Sequence, residues 1–90
     1  MERPNVPKRL FWEFRYEAID WSIEYAAVIE RVIERGTEPE WEELIKFYGR
    51  EKVINTLKND TNYLPDEIIN DVCKYFKLDP ITLKCFIRKN

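Results

Sequence analysis

The side chains that could carry out acid–base chemistry in this 90-residue chain are carboxylates, because the sequence contains no histidine. The densest group of acids comprises Glu38, Glu40, Glu42 and Glu43. A carboxylate becomes an effective general acid or base when burial or a charged partner shifts its pKa. These acids surround Pro39 directly after Thr37, which is typical of a solvated helix start where the helix dipole stabilises negative charge. The sequence therefore predicts no catalytic residue and no enzymatic activity.

Metal and cofactor sites need ligand sets that the sequence does not offer. The two cysteines, Cys73 and Cys85, fall short of the four ligands of a structural zinc ion when histidine is absent. The two glycines, Gly36 and Gly49, stand alone, so there is no glycine-rich loop to hold a phosphate. We therefore predict no metal and no cofactor. We expect both thiols to be reduced and largely buried, and a disulfide or a redox role is the alternative.

The sequence shows no recognisable targeting or membrane segment. The longest wholly apolar run, Tyr25–Ile29, is far shorter than the roughly 20 residues that cross a bilayer. A basic start followed by the apolar stretch of a secretory signal is not seen either. We expect a cytoplasmic protein without a membrane partner.

The elements that position any functional residue are predicted to be helices. Asp20 is a suitable N-cap for a first helix that runs to about Arg35 and stops at Gly36. At about 100° per residue, one side of this helix collects Trp21, Ser22, Tyr25, Ala26, Val28, Ile29, Val32 and Ile33. Charged residues such as Glu30 and Glu34 occupy the other side, so this is an amphipathic helix with one buried face.

The second and third helices are predicted on either side of Gly49. Thr37 or Glu38 precedes Pro39 at the start of the second helix. Its apolar residues at helical spacing are Trp41, Leu44, Ile45 and Tyr48. Gly49 ends it, and residues 50–58 form a short third helix. The residues expected to be buried there are Val53, Ile54 and Leu57.

Two more helices complete the predicted fold. The fourth opens at Pro65–Glu67, and a final one starts at Asp79 and Pro80 and runs to about Ile87. The buried face of the fourth is expected to comprise Ile68, Ile69, Val72, Cys73 and Phe76. No strand-like alternation appears. The prediction is an all-α protein: a compact orthogonal bundle of about five helices in a single domain, residues 10–90, with an extended lead-in at residues 1–9.

Residues 1–16, called the arm below, are rich in aromatic side chains. With three Trp and five Phe in 90 residues, not every ring is expected to fit inside the core. The candidates for an exposed partner-binding patch are Phe11, Trp12, Phe14 and Tyr16 on the arm, with Phe47 and Tyr75 off the main stripes of their helices. Such residues are enriched at the centres of interfaces. The alternative is an arm that folds back to cover the bundle.

The charge is unevenly distributed. The chain carries 15 basic and 17 acidic residues, a net charge of −2. Residues 17–43 nevertheless hold nine acids against only Arg31 and Arg35, while the other stretches are mildly basic. This pattern indicates either solvated helix faces or an acidic flank that steers a basic partner protein. In the second case, the expected partner is a different protein or a second copy of this chain.

A helix-turn-helix that binds DNA is the alternative function. The helices predicted at Trp41–Tyr48 and Arg50–Lys58 are joined around Gly49, as in that motif. The side chains that would reach phosphates and base edges are Arg50, Lys52, Asn55 and Lys58. The acidic segment before them would repel DNA from the same side, and an ordinary helical corner gives the same pattern. Nucleic acid is therefore the less favoured partner.

Several short segments together resemble a known family. They are Leu10-Phe11-Trp12, then Val28-Ile29-Glu30-Arg31-Val32-Ile33-Glu34-Arg35-Gly36, and Trp41, Leu44 and Tyr48-Gly49 followed by Lys52-Val53. Short bacterial all-helical proteins of unknown function typically carry these elements, with a Tyr-Leu segment and a late cysteine. Tyr63-Leu64 and Cys85 stand in the corresponding places, so the resemblance covers roughly residues 10–86.

The resemblance implies a biological setting. Genes of that family often lie beside nucleotidyltransferase-like toxins of the abortive-infection type, which implies an antitoxin-like or accessory protein with such a toxin as its partner. The family supplies no catalytic residues. This sequence departs from the family pattern around Asp66–Tyr75, where Asn70-Asp71-Val72 replaces a common aromatic pair. If that helix forms a partner surface, the family's partner specificity does not carry over to it.

Overall fold

Four α-helices and three short 3-10 turns make up the described chain. The computed structural model describes residues 3–12, 14–61 and 63–84. The helices are α1 (Tyr25–Arg35), α2 (Glu38–Tyr48), α3 (Arg50–Asn59) and α4 (Asp66–Phe76), and the 3-10 turns are Lys8–Phe11, Tyr16–Ala18 and Pro80–Thr82. No strand occurs in these ranges. The all-α class is confirmed, whereas an orthogonal arrangement of the helices stays a prediction.

The number of helices differs from the prediction after α4. The cap at Asp79 forms as expected, since Asp79 Oδ1 accepts a hydrogen bond from Ile81 N at 3.1 Å. It starts only a 3-10 turn, because Leu83 has an extended backbone (φ −90°, ψ 124°) and a fully buried side chain. The prediction of a fifth helix is therefore wrong for residues 80–83. Lys84 again has a helical backbone, and the remainder of the predicted helix, residues 85–87, lies outside the described residues.

The start of α2 shows how local helix signals act. Thr37 has an extended backbone, and Glu40 reaches back to it in a capping box. Glu40 Oε1 accepts a hydrogen bond from Thr37 N at 2.8 Å, and Glu40 Oε2 lies 3.7 Å from Arg9 Nη2. Gly49 ends the helix with a φ of 93°, a conformation that other residues rarely adopt. Both predicted boundaries of α2 are confirmed.

Helix α1 begins later than the sequence predicts. Asp20 Oδ1 accepts hydrogen bonds from Ser22 N and Ile23 N, both at 3.1 Å, and so closes a turn. The regular helix begins only at Tyr25. The turn places Trp21 in the core. Asp20 therefore caps a turn that precedes the helix, which shortens the predicted α1 by several residues.

The core is centred on α1, which contacts α2, α3, α4 and the first 3-10 turn. Its fully buried residues are Val28, Ile29, Val32 and Ile33. They pack with buried apolar residues of the other elements: Leu10, Phe11, Trp41, Leu44, Val53, Leu57, Leu64, Ile69, Val72, Phe76 and Leu83. The arm is part of this core, and two residues of the predicted lead-in also lie against the body, since Pro4 is buried and Val6 packs on the cluster.

The double role of Glu40 can be tested by two substitutions. Glu40→Ala removes both the acceptor for Thr37 N and the partner of Arg9, so we expect the free energy of unfolding to fall by about 1–2 kcal/mol. Glu40→Gln keeps an acceptor oxygen and loses only the charge, so the expected loss is below about 0.5 kcal/mol. Urea unfolding measures both.

Glu43→Gln is the matched control, because Glu43 forms a surface ion pair of 3.3 Å with Lys46 in the same helix. We expect it to change stability by less than about 0.5 kcal/mol. If Glu40→Ala and Glu40→Gln lowered the free energy of unfolding equally, the capping hydrogen bond would be shown not to stabilise α2.

Candidate binding surface

Phe11 anchors the arm to the rest of the protein. Its ring is 1% exposed, and its centroid lies 5.4 Å from that of Trp21, 5.7 Å from Phe14 and 6.1 Å from Tyr16. The pairs with Trp21 and Phe14 are edge-to-face, an arrangement that aromatic quadrupoles favour. The prediction of an exposed Phe11 is wrong, because burial of this ring holds the arm on the helices.

Trp12, the next residue, is instead 68% exposed. It borders a surface depression of about 460 Å³ lined by Lys8, Phe11, Trp12, Phe14, Arg15, Tyr16, Glu17 and Ala18. Phe14 is half-buried, and its ring centroid lies 5.4 Å from the guanidinium carbon of Arg31 on α1. The arm therefore folds back onto the bundle and still leaves one large ring beside a hollow.

A second depression of about 500 Å³ adjoins the first. It is lined by Arg3, Lys8, Tyr16, Glu17, Ile19 and Trp21. Lys8, Tyr16 and Glu17 border both depressions, which together are called the arm groove. The Arg3 guanidinium and the Lys8 ammonium each lie 5.3 Å from the centre of the Tyr16 ring. The half-buried Tyr16 is thus covered by cations of its own chain.

The cations around the arm groove are not equally available. Lys8 Nζ lies 3.1 Å from Glu17 Oε2, and the hydrogen bond from Lys8 lowers the pKa of Glu17. Arg15 is exposed and makes no ion pair with any residue in the described ranges. Glu13, between Trp12 and Phe14, lies outside those ranges. Among the described residues, two groove cations make no ion pair: Arg3, which lies against the Tyr16 ring, and Arg15, which makes no ring contact and is the more open to an incoming carboxylate.

The arm groove, apart from Arg3, lies in the part of the chain that matches a family model. A family of unknown function, DUF6922, matches residues 6–57. The chain belongs to this family. The DUF6922 match includes α1, α2 and α3 as far as Leu57, and it ends before α4, Tyr63 and Cys85. It is therefore shorter than the resemblance noted in the sequence. Neither a curated protein nor a solved structure matches the chain.

The two predicted partner-binding residues outside the arm lie in other surroundings. Phe47 is half-buried against Tyr48, with ring centroids 4.7 Å apart, and borders a depression of about 200 Å³ that Arg3 also borders. Tyr75 is half-buried, with its ring centroid 5.4 Å from that of Trp41. Burial, and next the nearby carboxylate of Glu42, raise the pKa of Tyr75. Phe47 thus lies near the arm, and Tyr75 belongs to a cluster between α2 and α4.

The predicted DNA-binding residues on α3 are partly engaged within the protein. Arg50 Nη2 donates a 3.3 Å hydrogen bond to Phe76 O, and the guanidinium carbon lies 5.3 Å from the Phe76 ring centre. Lys52 Nζ lies 4.2 Å from the ring centre of Tyr25. Asn55 is exposed and Lys58 is half-buried. Two of the four predicted contacts thus face aromatic rings of this chain.

The acidic segment is also used internally. Glu17, Glu40 and Glu43 lie within 4.0 Å of Lys8, Arg9 and Lys46 respectively. Asp20 accepts hydrogen bonds within its turn, and these, above all the one from the Ser22 side chain, lower its pKa. The three ion pairs partly offset the local excess of negative charge, whereas the hydrogen bonds to Asp20 stabilise its charged form.

Arg15 is the residue that sequence reasoning missed. The sequence signal for it is the alternation of aromatic and basic residues at Phe14, Arg15 and Tyr16, but such an alternation does not show where a surface depression forms.

Within the described chain, no three His, Cys, Asp or Glu residues come together as metal ligands. Nor does any helix of residues 3–12, 14–61 and 63–84 combine the length and apolar character needed to cross a membrane.

Tyr48 supports the floor of the arm groove. Its Oη donates a hydrogen bond of 2.7 Å to the carbonyl of Trp21, and burial raises the pKa of Tyr48 to about 12. An unfolded tyrosine ionises near pH 10, so the unfolded state loses its proton first as the pH rises. The stability contributed by the neutral phenol is therefore fully present below about pH 10 and is lost as the pH rises towards 12.

We expect the free energy of unfolding to fall more steeply with pH in this alkaline window for the native protein than for Tyr48→Phe. At neutral pH the variant should be less stable by about 1 kcal/mol, because it lacks the hydrogen bond to Trp21. Urea unfolding across a pH series measures both effects. Parallel pH profiles would contradict the assignment.

Proposed function

We propose that this protein is a non-catalytic, protein-binding module, antitoxin-like or accessory in role, which docks its partner through the arm groove. The observation that carries the proposal is the exposure of Trp12, at 68%, beside a hollow of about 460 Å³. The other two tryptophans, Trp21 and Trp41, are only 4% and 3% exposed. Trp, Tyr and Arg dominate the binding energy of protein interfaces, and the groove displays all three.

The groove suits docking because its floor is fixed before a partner arrives. Phe11 and Trp21 are buried beneath it, and Tyr48 binds the Trp21 carbonyl. A preformed surface loses less conformational entropy on binding than a mobile one. Both depressions lie in the size range of ligand pockets, about 300–1,000 Å³, which accommodates a few side chains of a partner.

The partner that we propose is the product of the adjacent gene, a nucleotidyltransferase-like toxin, in a bacterial cytoplasm. The resemblance to short bacterial helical proteins supports this setting. Binding rather than catalysis is the proposed activity, because no carboxylate among the described residues of the arm groove is buried. Its one described acid, Glu17, is exposed and paired with Lys8.

Trp12→Ala tests the proposal in a co-purification with the adjacent gene product. We expect the variant to remain folded, because the ring is exposed, and to lose most of the captured partner. Ile81→Ala is the matched control, because Ile81 is an exposed apolar residue of similar accessibility, 63%, outside the arm. Capture that is unchanged in Trp12→Ala, or a native chain that stays alone, would overturn the proposal.

The alternative is a small helix-turn-helix regulator. The observation that favours it is the contact of α2 with α3 across Gly49, with Asn55 exposed on α3. The contacts of Arg50 and Lys52 with aromatic rings of this chain count against the regulator, because these two side chains are already engaged. We expect random and promoter DNA to show no salt-sensitive binding by fluorescence anisotropy at low salt. Salt-sensitive binding that Asn55→Ala and Lys58→Ala weaken would support the regulator instead.

A further inference from the structure

We infer that the arm groove accepts a partner segment in which a carboxylate stands beside a large apolar side chain. Arg15 would bind the carboxylate, and Trp12 would cover the apolar side chain. This inference rests on the proposed function and specifies the chemistry of the docked segment, which the family of unknown function does not supply.

The acidic part follows from the state of the groove cations. Arg3, Lys8 and Arg15 line the groove, with Glu17 as the described acid. Glu17 already pairs with Lys8, whereas Arg3 and Arg15 have no ion pair among the described residues. Arg3 lies against the Tyr16 ring, which leaves Arg15 as the more open of the two. A guanidinium that a docked partner covers loses its hydration, and this is unfavourable unless an anion replaces the water. Carboxylates do so well, because a guanidinium donates two parallel hydrogen bonds to them.

The apolar part follows from Trp12. Its ring is open to solvent and borders the same depression as Arg15 and the half-buried Phe14. A large apolar side chain that enters this depression would contact Trp12 and Phe14 while its neighbour reaches Arg15. The class of segment is therefore defined by two adjacent groups, one apolar and one acidic.

A protein segment fits these observations better than single-stranded nucleic acid. Such nucleic acid binds by stacking successive bases on open aromatic faces along a basic groove. Here Tyr16 is covered by Arg3 and Lys8, each 5.3 Å from its ring centre, and Phe14 lies against Arg31. Trp12 is the exposed ring that the described groove offers, and one ring is not a stacking platform.

The experiment uses two synthetic peptides, acetyl-LELEL-amide and acetyl-LKLKL-amide, titrated into the isotopically labelled protein at low salt. The indole N–H signals of Trp12 and Trp21 report the site, since both residues border the arm groove, and Trp41 serves as the internal control because it is buried outside the groove. We expect the acidic peptide to shift the Trp12 signal in a saturable way. The basic peptide should bind at least about tenfold more weakly.

Arg15→Glu is the decisive variant, and Arg15→Gln is its milder companion should the charge reversal disturb the fold. Arg15→Glu should abolish the preference for the acidic peptide, because the described groove then holds two cations and two carboxylates, and Arg15→Gln should reduce the preference. Equal binding of both peptides to the native protein, or no shift of the Trp12 signal with either, would overturn the inference.

Other occupants give distinct results. A Trp12 signal that moves with protein concentration alone would show that a second copy fills the groove. A shift caused by a single-stranded oligonucleotide and not by the acidic peptide would show a nucleic-acid site. Either result would overturn the inference. If Trp12→Ala abolishes capture of the partner while Arg15→Glu leaves it intact, the inference fails and the proposed function stands.

Discussion

The packing of Phe11 against Trp21 is the contact on which the rest of the surface depends. Their edge-to-face rings, 5.4 Å apart, join the arm to the turn that precedes α1. With Phe11 buried, its neighbour Trp12 remains on the outside, and Phe14 and Tyr16 are held at the rim. Adjacent residues in the arm thus have opposite roles, one in the core and one on the surface.

Helix α2 holds this arrangement at both of its ends. Near its start, Glu40 accepts the hydrogen bond of Thr37 and lies 3.7 Å from Arg9 of the arm. At its end, Tyr48 donates to the Trp21 carbonyl below the arm groove. The residues that shape α2 therefore also determine where the arm lies, so helix capping and the geometry of the groove are not independent in this protein.

Helix boundaries that depend on local interactions could be predicted from the sequence. Thr37, Pro39 and Gly49 act on their own neighbours, and both boundaries of α2 are therefore confirmed. The errors at Leu83 and at the start of α1 have a different origin, because Leu83 and Trp21 are buried in a common core to which the arm and all four helices contribute. The arm carries too little periodicity to separate a buried Phe11 from an exposed Trp12. A hollow made by chain folding back on itself has no sequence signature at all.

The order of the segments along the chain determines when the arm groove can form during synthesis. Leu10 and Phe11 leave the ribosome before every segment that buries them, and they remain exposed until the helices behind them have formed. Trp21 comes next, and the hydroxyl that holds its carbonyl arrives only with Tyr48. Every residue that lines the groove precedes residue 22, yet the groove is complete only after residue 48 has emerged. Until then the aromatic arm exposes apolar surface, on which other chains can aggregate.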